Sequence, residues 1–369
     1  MNKLGFGFLR LPRENEADEN SVDIEKTKEL VDLFLARGGR YFDTAYTYMN
    51  GGSERAVKEA LVRRYPRDAF CLADKLPTWL LTCEADCEKY FLEELERCGV
   101  EYFDYYLLHG LDQENYALCQ RMNAFEYMKR LKAEGRAKRI GFSYHDSPEL
   151  LDQILENHPE MEFVQLQINY LDWESEVIQS GKCYETAVKH GRRVIVMEPV
   201  KGGSLASLPD KAEQTLRRIH PEESMASWAI RFASSLESVD IVLSGMNTAS
   251  QIEDNLRDVR LLDMDEYRAL ETSAGIIRRN TAVPCTGCSY CTAGCPKHIP
   301  IPGYFGLLNE YARSPKELWK MEYRYRDLAV GRGRASDCIA CGTCERACPQ
   351  KIGIIDNLKK VREVFEPKE

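Results

Sequence analysis

Eight of the chain's 14 cysteines crowd into two short runs, Cys285-x2-Cys288-x2-Cys291-x3-Cys295-Pro296 and Cys338-x2-Cys341-x2-Cys344-x3-Cys348-Pro349. Three thiolates two residues apart can wrap one corner of an iron–sulfur cubane, and the amides around them can donate to its sulfides. Structural zinc also uses Cys-x2-Cys pairs, but two complete runs of four, each closed by Cys-Pro, argue for clusters. A second set of reactive side chains lies far upstream. Asp43, Lys75 and His109 each follow a short apolar run, and Tyr48 lies five residues past Asp43, residue types suited to proton transfer.

The cysteine runs match those of bacterial ferredoxins position for position, and in two-cluster ferredoxins the fourth cysteine of each run ligates the other cluster. That resemblance implies one [4Fe–4S] cluster on Cys285, Cys288, Cys291 and Cys348. A second would sit on Cys338, Cys341, Cys344 and Cys295. The runs start 53 residues apart (338 − 285), more than a compact ferredoxin requires. The stretches Tyr304–Tyr311 and Pro315–Tyr325 between them read as helical, so the module is expected to be of a helical ferredoxin type.

The upstream quartet needs a scaffold that brings distant residues together. Strand-like runs occur at Tyr41–Phe42, Ala69–Ala73, Phe103–Leu108, Arg139–Phe142, Phe163–Ile168, Arg193–Met197 and Val239–Leu243. Between them the spacing of apolar residues predicts helices over Ile24–Ala36, Cys87–Cys98, Cys119–Lys132 and Glu149–Glu156. This alternation predicts parallel βα units, and about eight fit, which favours a closed (β/α)8 barrel. No Gly-x-Gly-x-x-Gly opens a helix after the first strand, so a Rossmann domain is not supported. The expected division is a barrel over 1–262, a bridging helix over 263–279, and a cluster domain over 280–369.

In a β/α barrel the active site lies at the C-terminal ends of the strands, where the quartet falls. There Gly5-Phe6-Gly7, Phe42-Asp43-Thr44-Ala45-x-x-Tyr48, Asp74-Lys75 and Leu107-Leu108-His109 resemble the motifs of the aldo-keto reductase family over roughly residues 1–260. The chain thus resembles a member of that family fused to a ferredoxin-type domain with two [4Fe–4S] clusters. The resemblance implies that Tyr48 donates a proton to a carbonyl oxygen, with Lys75 lowering its pKa, Asp43 holding Lys75, and His109 bonding the carbonyl or relaying the proton. Taken singly, each residue has a plain structural reading: a helix cap, a loop aromatic, a solvated strand end, a core histidine. Four in family order at strand ends do not.

The family's cofactor pocket is matched in part. Ser143 and Gln165 correspond to residues that hold the nicotinamide amide, although Tyr144 stands where the family has asparagine. Met197 replaces a stacking aromatic and is followed by Glu198. The loop Lys201-Gly202-Gly203 is expected along a pyrophosphate. Gly245, Met246 and Asn247 precede Asp254-Asn255, similar to the adenosine-binding residues, and Gln251 takes the place of an arginine that clasps a 2′-phosphate. The cofactor is expected to be NAD, NADP or a flavin in the same groove. His145 reads as an ordinary loop histidine.

A net charge of −9 with no basic block speaks against nucleic acid, and no apolar run approaches the length of a membrane span. The N-terminal stretch lacks a signal-peptide pattern, so a cytoplasmic location is expected. A hydride carries two electrons whereas a cluster passes them singly. A flavin could divide the pair, a ferredoxin-like partner could feed the clusters, or the clusters could be structural or sensory. The leading expectation is an oxidoreductase acting on a carbonyl or alcohol, with electrons exchanged through the clusters. The alternative is an electron-transfer or redox-sensing subunit that binds a cofactor without turnover.

Overall fold

The computed structural model describes residues 3–15, 18, 20–257, 260–313 and 315–366. Eight parallel strands close into a barrel in sequence order: β1 (Leu4–Gly7), β2 (Tyr41–Asp43), β3 (Cys71–Leu76), β4 (Phe103–Leu111), β5 (Ala137–Tyr144), β6 (Phe163–Gln167), β7 (Arg193–Met197) and β8 (Val239–Ser244). The expected barrel is therefore present, although β1 was not among the seven strand-like runs. Two of its four residues are glycine, which removes the apolar signal. Gly5 is required there, because a Cβ would lie 2.8–2.9 Å from the side chains of Ile241, Leu243 and Tyr41.

The helices follow the spacing closely at Ile24–Ala36, where Asp23 caps the first turn by accepting from the Lys26 amide. The helix expected over Cys119–Lys132 is instead two, Gln113–Arg121 and Ala124–Ala133, broken where Asn123 adopts a left-handed φ of 50°. Phe6 and Phe42 pack against Phe34 of the first helix, and Phe6, Phe8 and Phe42 against one another, with ring centroids 5.0–6.1 Å apart, fixing that helix on the barrel wall.

Inside the barrel, side chains alternate along each strand, and this alternation builds the site. Tyr41, Ala73, Leu107, Phe163, Ile195 and Leu243 form a buried apolar floor. Two residues further along, the same faces of β2, β3, β4 and β6 carry Asp43, Lys75, His109 and Gln165, and Ser143 of β5 pairs in register with Gln165. A polar storey thus stands on an apolar one.

The chain forms two compact units, one of residues 1–175, 179–199 and 226–263, the other of residues 176–178, 200–225 and 264–369. In the second, the helix Met264–Arg279 packs on the helix Asp210–Arg217, with Ser273 donating to the Ala212 carbonyl at 3.3 Å. The cysteine region is helical and internally repeated at the 53-residue offset. One-turn helices occupy Tyr290–Ala293 and Thr343–Arg346, and longer ones Ile301–Arg313 and Ile354–Phe365. Left-handed residues recur in pairs at Gly287 and Ala340, Ser289 and Gly342, and His298 and Lys351. Such residues turn backbone amides toward a common centre, as an anion-binding nest does. Tyr304, Tyr325 and Phe365 stack in its core, with neighbouring ring centroids 4.5 and 5.7 Å apart. Among the described residues no helix is long and apolar enough to cross a membrane.

Candidate active site and cysteine module

The quartet comes together around Lys75. Its ammonium, wholly buried, donates to Asp43 Oδ1 and to the Thr44 carbonyl at 2.6 Å each, and to the Tyr48 hydroxyl at 3.4 Å. The other oxygen of Asp43 accepts from Gln165 Nε2 at 3.2 Å. Both carboxylate oxygens are thereby used, as a buried charge requires. His109 faces the Tyr48 ring edge-on at 5.8 Å.

Local structure holds these groups still. Tyr48 begins a turn in which Met49 and Asn50 both take left-handed φ values of 50° and 52°, a strained pair in residues with side chains. Arg55 donates to the Asn50 carbonyl at 3.2 Å, and Thr44 and Ser53 share a hydroxyl bond of 2.6 Å just behind. On β4 the pairing with β5 shifts between Leu108 and Leu111, an irregularity of the kind that re-aims side chains beside active sites. It falls on His109 and Gly110, where the Gly110 amide donates to Ser143 Oγ at 2.8 Å and the His109 carbonyl accepts from Thr78 at 2.6 Å.

The electrostatics correct one expectation. Burial, with the carboxylates of Asp43, Asp74 and Glu198, raises the Tyr48 pKa well above the ordinary tyrosine value, rather than Lys75 lowering it. Tyr48 is held as a neutral acid. Because Lys75 donates to its oxygen, the phenolic proton is left to point elsewhere. Burial, then the charges of Lys75 and His145, depresses His109 well below the usual histidine range, so its imidazole is neutral. Its Nδ1 is buried with no hydrogen-bond partner among the described residues.

Two contributors were not singled out by sequence. The indole of Trp79 lies 5.0 Å from the His109 ring and is 43% exposed, making it the solvent-side neighbour of the histidine. Its position, four residues past Lys75, was the available signal. The Thr44 carbonyl is a backbone group and carried none.

The cofactor residues are placed as follows. Ser143 and Gln165 are buried neighbours on paired strands beside Asp43, a donor and acceptor set that fits a carboxamide. Tyr144 is turned away and bonds the Ser147 carbonyl at 2.5 Å. Met197 is half-buried at the end of β7, where its carbonyl accepts from the Ile168 amide at 3.2 Å. Gly245 lies against the Arg10 side chain. The exposed Gln251 folds back to accept from the Asn247 amide at 2.8 Å, and the buried Asn255 donates to Ser244 Oγ at 2.9 Å. The loop expected along a pyrophosphate is engaged within the second unit instead. Lys201 Nζ donates to Gln350 Oε1 at 3.0 Å, and a Cβ on Gly202 would lie 2.1 Å from the Thr286 carbonyl. Gly203 keeps open space.

In the cysteine module, Cys285, Cys288, Cys291 and Cys348 line one small cavity, with Thr286 and Gln350 among its walls. Burial, with the nearby thiols of Cys288, Cys285 and Cys348, pushes Cys291 up to about 12. Four thiols converging on one enclosed space suit a cluster held by thiolates. The Gly287 amide donates to Cys285 Sγ at 3.4 Å. The other run sits close to Cys295: a Cβ on Gly294 would be 2.9 Å from the Thr343 methyl. Of the six scattered cysteines, Cys87, Cys98, Cys119 and Cys183 are buried, Cys71 is half-buried and Cys83 is exposed.

The sequence profile of the aldo/keto reductase family matches residues 3–274, and that of a 4Fe-4S dicluster domain matches residues 284–352. An aldo-keto reductase of Mycolicibacterium smegmatis is 28% identical over 240 residues, 61% of this chain and 83% of that protein. One from Emericella nidulans is 33% identical over 78 residues, 21% of this chain, and the chain spans only 20% of that relative's length. Among solved structures, the holo form of an aldo-keto reductase from Bacillus halodurans matches with TM-score 0.60 and 23% identity, over 73% of this chain and 91% of that one. An aldo-keto reductase of Klebsiella pneumoniae, solved with NADPH, matches with TM-score 0.58 and 20% identity, over 73% and 90%. At these identities the structural likeness shows the barrel fold.

Proposed function

The chain belongs to the aldo/keto reductase family, whose members are oxidoreductases, and from that membership we propose that its barrel interconverts a small carbonyl compound and the corresponding alcohol while its cysteine module carries single electrons. The observation that carries the reading is the buried Lys75 ammonium bridging Asp43, the Thr44 carbonyl and Tyr48. This arrangement has a task only if Tyr48 must present its proton outward. NADP(H), the ligand of the Klebsiella pneumoniae neighbour, is the proposed hydride source, with NAD or a flavin as alternatives.

Ser143 and Gln165 would hold the nicotinamide amide, Met197 would lie beside the ring, and Gly245, Asn247, Gln251 and Asn255 would line the remainder. When bound, the dinucleotide supplies hydride to the carbonyl carbon. Tyr48 then protonates the carbonyl oxygen. Lys75 stabilises the tyrosinate left behind, and Asp43 keeps that lysine charged and in place. Neutral His109 can donate one N–H to the same oxygen without adding charge. Trp79 shields the imidazole from solvent.

The cysteines would hold two [4Fe–4S] clusters as the spacing implies, Cys348 with Cys285, Cys288 and Cys291, and Cys295 with Cys338, Cys341 and Cys344. Such clusters exchange one electron at a time, so a ferredoxin-like donor or acceptor is the proposed partner and the cytoplasm the proposed setting. The test is turnover of a panel of aldehydes and ketones by anaerobically prepared protein. Tyr48→Phe should lower kcat by about 10²-fold or more. Undiminished turnover in that variant would remove Tyr48 from the chemistry and with it the proposed proton path.

A further inference from the structure

We propose that Lys201 and Gln350 form a charged seat for the cluster of Cys285, Cys288, Cys291 and Cys348, raising its reduction potential relative to that of the second cluster. The inference rests on the reading that these cysteines hold a cluster.

Lys201 is only 2% exposed, and its ammonium donates at 3.0 Å to Gln350 Oε1. Gln350 is itself 4% exposed and lines the cavity that the four cysteines share. The hydrogen-bond partner of a buried cation is thus part of the wall around the four thiols. Position is enforced from the neighbouring residue. Gly202 takes a φ of 65° and supports the Thr286 carbonyl so closely that any side chain there would collide with it. The 285–288 loop is thus seated on Gly202, and Lys201 is fixed beside it in a left-handed conformation with φ 47°. Lysine adopts that backbone only when its surroundings impose it.

The internal repeat supplies the contrast. At the 53-residue offset, Gln350 corresponds to Lys297 and Thr286 to Ile339. Lys297 is exposed and Ile339 is 58% exposed, whereas Gln350 and Thr286 are buried. Among the described residues, the loop at Thr286 is enclosed beside the buried Lys201, whereas the equivalent position in the other run, Ile339, is exposed. Uptake of one electron adds one negative charge to a cluster. A buried cation stabilises that added charge most strongly where water does not screen it. The enclosed cluster should be the easier of the two to reduce.

The experiment is a redox titration of full-length, anaerobically reconstituted protein, followed by electron paramagnetic resonance and visible absorbance with dithionite as reductant. The wild type should show two one-electron steps. In Lys201→Met the higher step should move negative by about 59 mV or more, a tenfold change in the oxidised-to-reduced ratio at fixed poise, while the other step stays put. Lys201→Arg, which keeps the cation, should move it less. If Lys201→Met assembles poorly, Gln350→Glu decides the matter, since an anion at that position should push the same step negative. Unchanged steps, or both steps moving together, would overturn the assignment. Protein without cluster iron, sulfide or resonance signals would instead overturn the cluster reading beneath it.

Discussion

The barrel site and the cysteine module solve the problem of concentrating reactive groups in opposite ways. In the barrel, Lys75, Asp43, Thr44 and Gln165 satisfy one another before any ligand arrives, and the wall around them is an eight-stranded closed sheet. In the module, four thiols converge on a cavity whose other walls are largely apolar, Ile301, Pro302 and Phe305 among them. One site is preorganised by protein alone. The other asks for its inorganic centre to complete it. The two regions should therefore part company when that centre is withdrawn.

The largest effect follows from this. Stripping iron anaerobically with a chelator should release the structure of the cysteine runs, because metal-binding energy in small modules is folding energy, on the order of 10 kcal/mol for structural sites. Amide exchange across 285–300 and 338–352 should rise steeply while β2, β3 and β4 keep their protection. Equal loss in both regions would show that the barrel also depends on the clusters, and equal retention would show that the module's apolar core suffices.

The next effect probes the barrel's self-sufficiency. Lys75→Met leaves Asp43 buried without its cation, and breaking a buried pair of this kind costs about 3–5 kcal/mol. Chemical denaturation should register that loss. Adding Asp43→Asn should return part of it, since the uncompensated charge then disappears. A Lys75→Met variant as stable as wild type would mean that Asp43 takes up a proton or water at little cost.

The same contrast explains what the sequence disclosed. The cysteine module announces itself locally, because cluster ligation is written in intervals of two and three residues, and even its helical character was legible between the runs. The barrel was legible as a rhythm of apolar runs, with β1 lost to its glycines and one helix wrongly joined across Asn123. The quartet was legible only through resemblance. Its members lie on three strands and a following turn, and nothing local ties Asp43 to Lys75. The sign of the Tyr48 shift was out of reach, since it depends on Asp74 and Glu198 as well as on burial. The engagement of Lys201 and Gly202 was hidden for a similar reason. It depends on Thr286 and Gln350, some 85 and 149 residues away along the chain.

One place in the barrel departs from self-sufficiency. Behind Lys75, on the outer face of β3, Asp74, Glu54, Glu94 and Cys98 are all fully buried, and among the described residues one oxygen of Glu54 and one of Glu94 have no hydrogen-bond partner. Burial, then the charge of Asp74, pushes Glu54 up to about 9 despite the Arg97 guanidinium donating to it at 3.0 Å. In the unfolded chain Glu54 ionises near 4.5, so between that value and about 9 the folded state holds more protons than the unfolded one. Stability must then fall as pH rises through this window and level off above it. Glu54→Gln has no proton to lose, and its amide oxygen can still accept from Arg97. The variant should match wild type near pH 5 and exceed it in Tm by a growing margin toward pH 9. Parallel pH profiles would mean that Glu54 is ionised in the fold, its charge carried by Arg97, and that the barrel is as fully paired behind its site as it is within it.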